Sequence, residues 1–235
     1  MTDLRTAELC KLAANAYLAT RLSFVNTLAG LCRVAGVDVD ALIEVTGNDP
    51  RIGHDYFAPG LGFGGSCLSK DLRGLAALAA RHGVEDTAAF LASVDLANQH
   101  RRADAVALAL ARLPHGPAGA RIGVWGAAFK PGIDDVRDSP ALDVAVRLHQ
   151  AGARVSVHDP AAVGTARAEH PELHYAADPA EAARGAQVLL HLTAWPQFAA
   201  IDPAGLAPAA PVLVDARPGL DHQRWRAAGW TVDVL

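Results

Sequence analysis

From residue 121 onward the sequence alternates between short apolar runs and helical or turn segments, and that alternation leaves few folds open. The runs are Arg121–Trp125, Arg154–His158, Gln187–Leu192, Val212–Asp215 and Thr231–Val234, with a weaker one at Leu173–Ala176. Between them lie Pro140–Ala151, Pro160–His170, Pro179–Arg184, Pro196–Leu206 and His222–Ala228. Strands alternating with helices predict a parallel sheet covered on both faces, with ligands taken at the carboxyl ends of the strands. The first half of the chain has a different period. It predicts a long helix from Asp3 to Ala35, a short one from Asp38 to Val45, a third from Lys70 to Arg81 and a long fourth from Thr87 to Leu113. The cluster PHGPAG, Pro114–Gly119, is the clearest break between the two regimes. The expected organisation is α followed by α/β, with a helical domain over 1–115 and a Rossmann-like domain over 120–235.

Composition narrows the partners. About half of the 235 residues are hydrophobic and a fifth are charged, an ordinary balance for a folded soluble chain. A net charge of −4 gives no reason to expect nucleic acid or an anionic membrane, so an anionic ligand must be held by local cations. Cys10, Cys32 and Cys67 have neither disulfide-framework nor metal-ligand spacing, which suits a reducing cytoplasm and no metal. The N-terminal residues lack the pattern of a signal peptide, and no apolar stretch reaches membrane-spanning length.

The chemistry concentrates in Arg51–Asp71, RIGHDYFAPGLGFGGSCLSKD. Gly53, Gly60, Gly62, Gly64 and Gly65 precede Cys67, then Lys70 and Asp71, then a helical run. Glycines admit positive φ and close backbone approach, so the segment reads as a loop shaped around a small ligand. Cys67 at the mouth of a helix meets unpaired N–H groups that favour a thiolate. Gly60-x-Gly62-x-x-Gly65 also satisfies the dinucleotide pattern, but no strand run precedes it, so it is rejected as an NAD site. On the first helix, Glu8, Lys11, Asn15 and Asn26 fall on one polar stripe of an otherwise apolar cylinder. The near-continuous apolar surface of that helix predicts burial or sharing with a second subunit. At the strand ends of the second half, Lys130, Arg137 and Arg217 either converge on a diphosphate or pair with neighbouring aspartates in their own loops.

GFGGSCLSKD preceded by DPRIG resembles the active-site segment of the UDP-glucose/GDP-mannose dehydrogenase family. AELCKLAANAYLA is similar to that family's sugar-facing helix, and FKPGIDDVRDSPA, HDP, TAW and DAR are similar to its nucleotide-sugar-binding motifs. The resemblance implies NAD-dependent oxidation at the sugar C6, with UDP-glucose going to UDP-glucuronate through a thiohemiacetal and thioester on Cys67. Lys11 would stabilise oxyanions, Asp71 would orient or deprotonate water, and Asn15 would anchor the reacting centre. Arg51, Tyr56, Phe57, Gly64, Lys130, Arg137 and Arg217 would bind the substrate. It also implies a homodimer through the first helix. The family's NAD-binding domain precedes the segment matched here, so turnover is expected only when such a domain is supplied. Ser69, Asp138, Ala194 and Pro218 depart from the family pattern, where proline, glutamate, glutamate and asparagine are usual. Two other readings are a non-catalytic UDP-sugar-binding and dimerisation module, and an unrelated thiol enzyme using Cys67.

Overall fold

A computed structural model describes residues 3–235, which divide into two compact units, one ending at Arg101 and the other Arg102–Leu235. The first unit is helical. Helix α1 (Leu4–Ala35) starts on Asp3, whose carboxylate accepts the Thr6 amide, and ends at Gly36 in the left-handed region. The short α2 (Val39–Gly47) is capped by Asp38. After a long loop come α3 (Leu68–Arg81) and α4 (Glu85–Ala111). Ala16 and Ala19 of α1, Phe63 of the loop, Leu72 of α3, and Leu91 and Val94 of α4 form the core of this unit.

The second unit is a six-stranded parallel sheet in the order β3-β2-β1-β4-β5-β6. Its strands are β1 (Arg121–Trp125), β2 (Arg154–His158), β3 (His174–Tyr175), β4 (Val188–His191), β5 (Val212–Asp215) and β6 (Thr231–Val234). Connecting them are α5 (Pro140–Gln150), α6 (Val163–Glu169), α7 (Pro179–Ala183), α8 (Pro196–Ala199) and α9 (His222–Ala227). This is the doubly wound Rossmann order. Strand β4 is buried at every position, as a central parallel strand must be. On one face Trp125 stacks on Phe198, with Trp225 edge-on to Trp125 and Trp230 edge-on to Trp225.

The helical or turn segment expected over Pro196–Leu206 is both: a short helix that stops at Ala199 and a separate 3-10 turn at Pro203–Gly205. Proline at 203 supplies no N–H to continue an α-helix, whereas it suits a first turn capped by Asp202. The Pro114–Gly119 cluster does end α4, but the compact units divide earlier, at Arg101/Arg102. The last turns of α4 are tied into the second unit: Arg102 pairs with Asp138 at 3.0 Å, and Arg112 Nε donates to Asp233 at 2.6 Å.

Candidate active site and nucleotide site

Cys67 is the N-cap residue of α3, exposed, and its side chain makes no capping bond to the first turn. One turn on, Asp71 is buried. Its side chain is only 3% exposed and receives Lys11 Nζ at 2.8 Å, Asn15 Nδ2 at 2.6 Å and Lys70 Nζ at 3.4 Å. The i, i+4 spacing of Lys11 and Asn15 sets both on the face of α1 that meets α3. The Lys11 ammonium, followed by burial and the Asn15 amide, governs Asp71, and the net result holds its carboxyl below the usual range. Reciprocally, Asp71 raises Lys11, with the thiol of Cys67 a smaller contributor in the same direction. Lys11 is therefore a fixed cation near the thiol across the neutral range.

A depressed carboxyl pKa has a signed consequence for stability. The contribution of Asp71 is fully present above the unfolded carboxyl value of about 4 and is lost as pH falls through the lower folded value. Acid unfolding followed from pH 5 downward is expected to be less steep for Asp71→Asn than for the parent. An unchanged acid limb would mean that the Lys11–Asp71 contact is not maintained in solution.

The glycine loop is held from both sides by buried polar groups. Asn98 of α4 accepts the Phe63 amide at 2.8 Å and donates to the Phe63 carbonyl at 3.0 Å. Asn26 of α1 accepts the Gly60 amide at 2.8 Å, and Arg101 donates to the Gly60 carbonyl at 3.2 Å. Arg21 donates to the carbonyls of Ile52 and Gly53 at 2.7 and 2.8 Å. Gly62, at φ 94°, has no room for a Cβ because Asn98 Oδ1 lies there. The polar stripe on α1 is thus divided in use: Lys11 and Asn15 serve Asp71, Asn26 serves the loop backbone, and Glu8 is exposed. Arg21, Asn98 and Arg101 were not among the candidate site residues read from the sequence. A buried Arg or Asn on an apolar helix was the available signal.

The other loop residues sit as follows. Gly64 is buried in the loop, and Tyr56 is exposed at φ 55°. Phe57 is buried, with the Arg21 guanidinium 5.5 Å from its ring centre. Arg51 is exposed and paired with Asp49, whose carboxylate takes both its backbone amide and its guanidinium.

In the second unit, Arg137 forms the same bracket with Asp135, at 2.6 Å. Lys130 is exposed, its ammonium 5.7 Å from the Phe129 ring centre. Arg217 follows the end of β5 and donates to the Leu192 carbonyl at the end of β4, at 3.1 Å. Burial, then the nearby Arg102, pulls its pKa down to about 10, which leaves it charged at neutral pH. Two guanidiniums, Arg102 and Arg217, are thus gathered at the carboxyl ends of the sheet. Trp195 is buried and donates to Asp159 at 3.0 Å, so it belongs to the packing of the strand ends.

The described residues do not form a dinucleotide cradle. The Gly60–Gly65 pattern lies in a loop between α2 and α3 with no strand before it. After β1, the amides of Ala127 and Ala128, which a pyrophosphate would need, both donate to Asp159 at 2.7 and 3.0 Å. Gly126 abuts Thr193, leaving no space above it.

The fold and these groups define a helical unit with an exposed thiol beside a fixed lysine–carboxylate pair, and a Rossmann-like unit with arginines at its ligand end. The UDP-glucose/GDP-mannose dehydrogenase family matches over both: its central domain over residues 5–100 and its UDP binding domain over 123–222. The chain belongs to that family. It is 38% identical over 222 residues to a UDP-glucose 6-dehydrogenase of Pseudomonas aeruginosa, covering 91% of this chain and 48% of that one. A UDP-glucose 6-dehydrogenase of Rhizobium meliloti is 39% identical, covering 92% and 49%. A solved UDP-glucose dehydrogenase from Pyrobaculum islandicum superposes with a TM-score of 0.85 at 38% identity, over 97% of this chain and 52% of that one. The chain therefore spans about half the length of the relatives it matches.

Proposed function

We propose that the chain supplies the thiol chemistry and the nucleotide binding of a nucleotide-sugar 6-dehydrogenase, with UDP-glucose as substrate and NAD as the acceptor of hydride. The observation that carries this is the exposed Cys67 at the N-terminus of α3, one turn from the Asp71 that fixes Lys11 and Asn15. NAD when bound accepts hydride. The described residues give it no cradle, so it would be held by a dinucleotide-binding domain, in this protein or a separate one, and no hydride step is assigned to residues here. What the chain's own groups do is distinct. The Cys67 sulfur adds to the C6 aldehyde carbon, a C–S bond forms, and the carbonyl π-electrons move to oxygen. The Lys11 ammonium stabilises that oxyanion and can return it a proton. A carboxyl held below its usual range is a weak base, which supports Asp71 as the group that orients Lys11 and Asn15, not the one that deprotonates water.

In the second unit, Arg217 and Lys130 are the proposed diphosphate contacts, with Arg102 reinforcing the positive field. Calorimetric titration of UDP is expected to show one site, weakened at least tenfold, about 1.4 kcal/mol, in Arg217→Gln. Equal affinity in that variant, or no binding of UDP by the parent chain, overturns the assignment.

A homodimer through α1 is part of the same reading. Tyr17, Phe24 and Leu31 recur every seven residues and are all exposed, as are Cys10 and Val34 on the same side. Such a stripe on a 32-residue helix is the surface a second copy would cover. Light scattering at micromolar concentration is expected to give the mass of a dimer, falling to a monomer for Phe24→Asp. A monomeric parent chain contradicts it. No helix of the described residues is long and apolar enough to cross a membrane, and the free cysteines suit the proposed cytoplasmic setting.

A further inference from the structure

At the amino ends of the strands, opposite the end where Arg217 lies, the second unit holds a cavity of about 570 Å³. Its lining includes Arg121, Arg154 and Arg184, together with His149 and His174. Arg121 and Arg154 are register partners on adjacent strands β1 and β2, so their side chains leave the sheet on the same face side by side. None of the three arginines is within ion-pair distance of a carboxylate among the described residues. The two acids on the cavity wall are engaged elsewhere: Glu181 accepts the Ala177 amide at 2.6 Å, and Glu172 pairs with His170 at 3.1 Å. Like charges directly across a strand pair destabilise the sheet. Here the pair stands in a concavity with a third cation, and the carboxylates of Glu172 and Glu181 on the wall form no ion pair with any of the three.

The local structure keeps this arrangement open. Helix α7 has only five residues and packs over Gly123, where a Cβ would lie 2.6 Å from the Ala182 carbonyl. It leaves Arg154, Ser156 and His174 of the neighbouring strands facing the cavity. Gly185, at φ 66°, leaves room for the Arg121 guanidinium, which lies 3.1 Å from where a Cβ would be.

We infer that this cavity is a second ligand site, separate from the nucleotide site, for a small phosphorylated metabolite. The phosphate would sit between Arg121 and Arg154, where arginine forks suit its oxygens and its charge removes their repulsion. The volume is within the range of small-molecule pockets and exceeds a bare phosphate. An organic body would lie against Ala153, Ala182 and Ala186.

Inorganic pyrophosphate titrated into the chain already saturated with UDP tests it. The expected result is one saturable site, weakened by added salt and weakened at least tenfold by Arg154→Gln. Arg217→Gln is expected to leave it within twofold. Without added anion, Arg154→Gln is expected to melt no lower than the parent chain, and to lose the rise in Tm that pyrophosphate gives the parent. Amide shifts in the parent chain are expected at Arg121, Arg154 and Arg184. Absence of binding, displacement by UDP, undiminished binding to Arg154→Gln, or binding of an acidic peptide but not of pyrophosphate would each overturn the inference.

Discussion

Replacing Gly62 with alanine is expected to destabilise the helical unit by about 3–5 kcal/mol, from backbone strain added to lost buried hydrogen bonds. Gly62 sits at φ 94°, and the new methyl would occupy the place of Asn98 Oδ1. Asn98 would have to leave the Phe63 amide and carbonyl, breaking two buried hydrogen bonds. The opposite sign is expected a few residues on. Gly74 lies on the exposed side of α3, with nothing within 4 Å of the place a Cβ would take and no positive φ. Gly74→Ala should raise stability by about 0.5–1 kcal/mol through helix propensity alone. Thermal or urea unfolding of the two variants checks both signs, and a neutral Gly62→Ala would mean that the loop is not clamped as described.

The second large effect concerns Cys67. In an assay containing UDP-glucose, NAD and a dinucleotide-binding domain, Cys67→Ala is expected to lower turnover by at least about a thousandfold, since the thiol is the proposed nucleophile and the neighbouring Ser66 hydroxyl is a far weaker one. The affinity for UDP is expected to stay within twofold, and so is stability, because the side chain is exposed and caps nothing. Loss of UDP affinity in this variant would reassign the thiol to binding. Unchanged turnover would remove it from the chemistry and leave the non-catalytic module as the better reading.

Much of the fold could be read from the sequence because the second unit is built from local signals. Arg121–Trp125 and Arg154–His158 are bounded by turn residues and match β1 and β2 residue for residue. Even the weak run at Leu173–Ala176 marks a strand, reduced to His174–Tyr175 at the sheet edge. Lys11, Asn15 and Asp71 were also legible, through helical spacing and the motif they sit in. What was hidden depends on distance along the chain. Asn98 meets Phe63 from 35 residues away, and Arg21 meets Ile52 from 31 residues away, contacts that no local pattern encodes. Arg51 and Arg137 each have an aspartate two residues upstream, and a short Asp-x-Arg bracket engages each guanidinium locally. Arg121 and Arg154 went unremarked as cations because their adjacency exists only once the strands are in register.

The central claim is that Cys67 faces the sugar of a bound nucleotide sugar. The rate of Cys67 alkylation by iodoacetamide, read by mass spectrometry against an added cysteine peptide as reference, tests it most directly. The account predicts that saturating UDP-glucose slows modification of Cys67 at least tenfold, that UDP alone slows it less, and that the reference peptide is unaffected by either. Alkylation of Cys67 at the same rate with and without UDP-glucose, under conditions where calorimetry shows the nucleotide sugar bound, would contradict it.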